Sequence, residues 1–184
     1  MAVNQWGGGN FDKLIFCGNL KQLPSLVSEL VDISPYIPEI EKLESHGTTA
    51  VFCEIEPNPY SWMYMPSTRH QSHRIICTGN FSPANNKEGT VTGTVEFTDF
   101  ISEDDIKDNL SRITYVRKYL THHYEQYTYP IQQGDTRKMI SSLKAKLDEE
   151  GIFLLGRFAE WEYYNMDAAI GAAMDLFNSK ALWQ

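Results

Sequence analysis

No apolar run in this chain approaches the roughly 20 residues that cross a bilayer, and neither GxGxxG nor G-x-S-x-G occurs along it. A membrane-spanning helix, a self-contained phosphate loop and a hydrolase nucleophile elbow are therefore excluded from the reading. Cysteine is scarce: Cys17, Cys53 and Cys77 sit in strand-like apolar runs with no short spacing between them. That argues against a disulfide framework or a cysteine zinc site, and for buried free thiols in a reducing compartment. Positive charge is also short, with 16 Lys and Arg against 24 Asp and Glu and a net charge of −8. Such a chain has no electrostatic footprint for nucleic acid or an anionic membrane, so any basic site is local. No charged n-region and apolar h-region opens the sequence, and a cytoplasmic location is expected. Repeats and low-complexity tracts are absent. The histidines give no metal constellation: His70 and His73 diverge on a strand, His122 and His123 are adjacent, and His46 stands alone.

The 184 residues are enough for one domain with a real core, with roughly 70% of the unfolded surface buried at this size. Aromatics reach 12%, including 10 Tyr and 4 Trp, either as strand residues or as ligand contacts. Residues 1–10, with WGGGN, read as a flexible glycine-rich start. Strands are expected at Phe11–Cys17, Thr48–Ile55, Ser61–Met65, His73–Thr78, Thr92–Phe100, His123–Ile131 and Ile152–Leu155. Apolar spacing predicts a helix in Leu20–Val31, shortened by Pro24, while Ser34–Pro38 is broken by two prolines. A helix capped by Ser102 is expected to run to about Leu120, and one capped by Asp135 or Thr136 to Glu150. Strands dominate the first half and helices the second. That predicts an α+β fold, an antiparallel or mixed sheet with helices packed on one face. Residues 11–184 are expected to form a single domain, with a sheet-and-helix part at 11–133 and a closing segment at 134–184.

Three places carry chemistry. Arg74 lies in an otherwise apolar strand, so it is either paired at an outward position or binds an anion such as phosphate. Tyr129 precedes Pro130 at a strand end and can offer its hydroxyl. The richest stretch is GRFAEWEYYNMDAAIGAAMDLF, Gly156 to Phe177. Gly156 permits close backbone approach, Arg157 supplies a positive fork, and Asn165 or Asp167 opens a slim alanine-rich helix. A helix N-terminus presents free N–H groups and positive potential. The stretch is either a cradle for an anionic or electron-rich ligand or an ordinary closing helix packed through its alanines.

This stretch resembles the C-terminal flavin-binding segment of the UDP-galactopyranose mutases and their relatives in the amine-oxidase-like FAD superfamily. Phe11–Gly18 (FDKLIFCG), His73-Arg74-Ile75 with Asn80–Pro83 (NFSP), and Tyr127–Ile131 (YTYPI) resemble further family segments in family order. The resemblance implies FAD contacts at Gly156, Arg157, Asn165, Met166 and Asp167, and sugar-nucleotide contacts at Arg74, Tyr129 and Tyr163. In such mutases reduced FAD acts through N5 on the sugar's anomeric carbon while the protein orients and stabilises charge.

Two departures stand out. Asn165 occupies a position where the mutases carry aspartate, and an amide cannot act as a carboxylate. The N-terminal GxGxxG half is missing. The expectation is a C-terminal fragment or split half of a UDP-galactopyranose-mutase-like flavoprotein in sugar-nucleotide or surface-polysaccharide metabolism. Alone it is expected to be inactive and not to retain FAD. The implied partners are a separately encoded FAD-binding half, a sugar nucleotide and, through the uncovered surface, a second copy of the chain. The alternatives are a fragment of an amine-oxidase-like FAD oxidoreductase or a non-catalytic dimerisation or binding module.

Overall fold

The computed structural model describes residues 3–4, 7–8, 11–87 and 89–180. In the glycine-rich start, β1 (Val3–Asn4) pairs antiparallel with β2 (Gly7–Gly8). The rest of the expected flexible segment lies outside the described residues.

β3 (Leu14–Phe16) leads into a 3-10 turn over Leu20–Gln22 and then α1 (Leu23–Val27). Asn19 caps that turn, accepting from the Lys21 N–H at 3.0 Å. Pro24 stands in the first turn of α1, where its missing N–H has no intrahelical partner to lose. The same device builds an element that two prolines seemed to forbid. Pro35 opens a 3-10 turn at Ser34–Tyr36, and Pro38 sits in the first turn of α2 (Ile37–Glu41).

β4 (Ser45–Ile55), β5 (Trp62–Tyr64), β6 (Arg74–Ile76) and β7 (Val91–Thr98) follow. α3 (Glu103–Leu110) is capped by Ser102, whose Oγ accepts from the Asp105 N–H at 3.2 Å. The expected helix to Leu120 is corrected here: α3 ends at Leu110, and β8 (Val116–Pro130) starts soon after. Ile113 is buried as predicted, but from a turn. The β-branched and aromatic residues beyond it are taken up by pairing with β4. α4 (Thr136–Asp148), β9 (Ile152–Leu154) and α5 (Met166–Lys180) complete the order.

The fold is α+β. One sheet has the strand order β5-β6-β7-β4-β8, and its β5–β6, β6–β7 and β4–β7 pairings are antiparallel. β3 and β9 form a separate parallel pair, with Leu14, Ile15 and Phe16 opposite Ile152, Phe153 and Leu154. Among the described residues no helix is long and apolar enough to cross a membrane.

The chain divides into two compact units, residues 1–45 with 129–184, and 46–128. The first has a core of Leu20, Leu23, Val27, Ile40, Leu143, Leu147, Ile152, Leu154 and Trp161. In the second, Val51, Cys53, Ile55, Ile75, Val95 and Phe97 turn to one face of the sheet, where Ile106 and Leu110 of α3 cover them. Period-two alternation puts Thr94 and Glu96 of β7 on the opposite face. Cysteine requires one correction. Cys53 and Cys77 are buried and free, but Cys17 is exposed, because it lies one residue past the end of β3. Burial pushes the Cys53 thiol up to about 12, so it is inert as a nucleophile.

Candidate functional site

In the first unit, β9 delivers the chain to Gly156, whose φ is +102°. No heavy atom lies within 4 Å of where a Cβ would stand. The residue is therefore needed for its left-handed backbone, and no protein atom crowds it. The loop then closes on itself. The Glu160 N–H donates to the Gly156 carbonyl at 2.9 Å, and the Gly156 N–H donates to Glu160 Oε2 at 2.9 Å. Glu160 is buried, and its other oxygen accepts from Lys144 Nζ at 2.6 Å. The Tyr164 hydroxyl lies near the same carboxylate. Burial first, and then this carboxylate, hold that hydroxyl up at about 12.

Trp161 follows with φ 49° and a fully buried ring. A non-glycine residue holds this conformation only where its surroundings over-determine it. Here Gln132 Nε2 and Arg137 Nη2 both donate to its carbonyl. Its indole N–H donates to the Ile131 carbonyl at 3.3 Å, and Phe158 packs edge-on at 5.3 Å.

This frame aims Arg157. Its Nε donates to the Tyr164 carbonyl at 3.0 Å. Its guanidinium carbon lies 5.3 Å from the Tyr129 ring and 5.2 Å from the Tyr163 ring, and the two rings stack 5.6 Å apart at 14°. The contacts are cation–π in type. Tyr163 remains 53% exposed, so one ring of the cluster is open to a ligand. Asn165 accepts from the Ala169 N–H at 2.9 Å, which places it just before α5, and Asp167 lies in the first turn. Asn165, Met166 and Asp167 are exposed.

Of the residues singled out from sequence, Tyr129, Arg157 and Tyr163 come together, while Gly156, Asn165, Met166 and Asp167 lie on the same segment. Arg74 belongs to the second unit. It is opposite Glu96 in the β6–β7 register, and its Nε donates to Glu96 Oε2 at 2.5 Å. His73 Nε2 is 3.6 Å from that same oxygen, and His73 Nδ1 is buried without a hydrogen-bond partner. Burial is the main reason the His73 pKa lies below its ordinary value, with Glu96 opposing and Arg74 reinforcing. Below the unfolded value of about 6.5, the unfolded chain takes up a proton that the folded chain resists. Stability should fall as pH drops through that window. His73→Gln should flatten this component in urea melts between pH 7.5 and 5.5.

Sequence reasoning missed Glu160, Trp161, Arg137, Lys144 and Glu96. Glu96 alone left a signal, as a carboxylate alternating with apolar neighbours on β7. Among the described residues no group of metal-ligating side chains converges.

Comparison with solved structures bears on the fold. The chain matches a reduced UDP-galactopyranose mutase with a TM-score of 0.78 at 17% identity, over 94% of this chain and 42% of that one. The two share a fold. A protein assigned as a protoporphyrinogen oxidase from Exiguobacterium sp. 255-15 matches with a TM-score of 0.68 at 12% identity, over 98% of this chain and 43% of that one. A CLA-producing fatty acid isomerase from P. acnes matches with a TM-score of 0.62 at 14% identity, over 91% of this chain and 41% of that one. The chain thus spans about two fifths of the length of these structures. No family model matches it, and no curated protein does.

Proposed function

We propose that the chain is the C-terminal part of a UDP-galactopyranose-mutase-like flavoprotein that acts on a sugar nucleotide. The observation that carries this reading is the Tyr129–Arg157–Tyr163 cluster beside the start of α5, on a fold shared with such a mutase. The residues present fit one edge of a flavin. Space stands open at Gly156, a cation sits next in sequence, and the exposed first turn of α5 offers N–H groups. They do not supply a cradle for the dinucleotide end, so FAD is not expected to stay bound to this chain alone. Bound there, FAD would supply the reactive ring nitrogen. The chain's own work is to orient that ring with Gly156, Arg157, Asn165, Met166 and Asp167, and to hold the diphosphate with Tyr129 and Tyr163. Arg74, in the second unit, is a separate candidate contact for an anion and is paired with Glu96.

The test is a titration of UDP and UDP-galactose into the chain supplemented with a flavin-binding half. Saturable heat that Tyr163→Ala weakens about fivefold is expected, since one aromatic stacking contact contributes on the order of 1 kcal/mol. Absence of any heat would remove the sugar-nucleotide reading. Asn165 favours the alternative, an oxidoreductase of the amine-oxidase type. That reading predicts flavin reduction by an amine or carbon acid and no response to UDP.

A further inference from the structure

In the second unit, Glu96 is the meeting point of two basic side chains. Arg74 Nε donates to its Oε2 at 2.5 Å, and His73 Nε2 is 3.6 Å from that same oxygen. Alternation puts Arg74 and Glu96 on the sheet face away from the core that α3 covers. The Glu96 side chain is 12% exposed, against 26% for Arg74 and 40% for His73. The carboxylate is therefore largely shielded from water, while both basic groups keep a surface that a solute can reach.

The other ring nitrogen of His73 is the second observation. Nδ1 is buried and has no hydrogen-bond partner. A neutral imidazole can leave a bare lone pair there and keep its one N–H at Nε2, toward Glu96. A protonated ring carries N–H at both nitrogens, and the one at Nδ1 would be a buried donor without an acceptor. The ring therefore rests neutral near pH 7, and burial lowers its pKa in the same sense. The charges acting on it are Glu96 from β7 and Arg74 from β6. His70, on the same segment, turns instead to Ser72 Oγ at 2.9 Å, and Tyr64 of β5 stands opposite Arg74. α3 engages this segment at Arg69, whose carbonyl accepts from Arg112 Nη1 at 3.1 Å, and Asp108 pairs with that Arg112. With His73 neutral, Arg74 and Glu96 cancel. With His73 protonated, the three groups carry one net positive charge.

We propose that His73, Arg74 and Glu96 form a proton-gated anion site, which holds a sulfate- or phosphate-type oxyanion at Arg74 more tightly when His73 is protonated. While His73 is neutral, an arriving anion meets the Glu96 carboxylate as well as the guanidinium. Once protonated, His73 shares that carboxylate, and the set gains a positive charge beside Arg74. Linkage makes the effect reciprocal: an anion on Arg74 favours proton uptake by His73 by the same factor. That Arg74 contacts an anion rests on the function proposed above; its control by His73 is a separate claim.

The experiment titrates sodium sulfate, whose charge is constant between pH 5.5 and 7.5, into the full chain at fixed ionic strength. The Arg74 Nε–H and His73 ring signals are followed by NMR. Affinity at Arg74 should rise from pH 7.5 to 5.5 by a factor approaching about fivefold, the size of one added charge partly screened by water and salt. Saturating sulfate should raise the His73 midpoint by up to about 0.7 of a pH unit, the same factor read from the other side. His73→Gln should leave only the small rise common to the whole acidic chain, and His70→Gln should keep the full one. A His73 midpoint that sulfate does not move, or a rise that survives His73→Gln in full, overturns the proposal and leaves Arg74 as an anion contact. The midpoint is measured on the unaltered chain, so it decides even if His73→Gln fails to fold. No sulfate response at Arg74 at either pH overturns the proposal and the Arg74 contact together. The UDP titration above reads the sugar-nucleotide function separately.

Discussion

Trp161→Ala should lower the stability of the 1–45/129–184 unit by about 3–5 kcal/mol, the range for removing a large buried aromatic ring. The ring is fully buried within a core that also holds Leu20, Leu143 and Leu154, and its edge contact with Phe158 would be lost with it. The indole N–H would also leave the Ile131 carbonyl without its donor. A backbone effect separates this residue from an ordinary core position. At φ 49° any L-residue is strained by about 1–2 kcal/mol, and glycine is not. Trp161→Gly should therefore be no more destabilising than Trp161→Ala, the reverse of the usual order. Urea melts of the two variants measure this directly. A glycine variant clearly less stable than the alanine variant would mean that the left-handed conformation is not what the surroundings enforce.

The same residue shows what sequence could and could not supply. Apolar periodicity located most of the strands and α4, and the Ser102 cap located the start of α3, because those signals are local. α3 was read too long, since Ile113, Val116 and Tyr119 also satisfy a helical period until a strand partner claims the last two. α2 was hidden, because Pro35 and Pro38 read as breakers although both fit first turns. In the site, Tyr129, Arg157 and Tyr163 were legible as residue types in a recognisable order. Their support was not. Glu160 and Lys144 meet only because α4 packs on β9, and the parallel pairing of β3 with β9 joins segments from opposite ends of the chain. Arg74 could be read from sequence either as paired or as anion-binding. Only the β6–β7 register reveals Glu96 opposite it.

Glu160→Ala should cost about 3 kcal/mol and loosen the segment that carries Arg157. Two donors converge on this buried carboxylate, Lys144 Nζ and the Gly156 N–H, with the Tyr164 hydroxyl nearby. Removing it strands the Gly156 N–H, worth about 1–3 kcal/mol when buried and unpaired. Lys144 is half-exposed and recovers water, which keeps the total below the full penalty for breaking a buried ion pair. Glu160→Gln keeps one acceptor oxygen and should retain part of that stability while removing the charge. Tyr164 then distinguishes loss of charge from loss of packing. Its hydroxyl should titrate below about 12 in the glutamine variant yet stay above the ordinary tyrosine value, because burial, the larger cause, remains. Carbon-13 NMR of labelled tyrosine across pH 8–12 reads this, with urea melts alongside. An unchanged Tyr164 titration would show that the carboxylate does not act on it. A glutamine variant as unstable as the alanine variant would show that charge, not hydrogen bonding, holds the Gly156 turn that aims Arg157 at its two tyrosines.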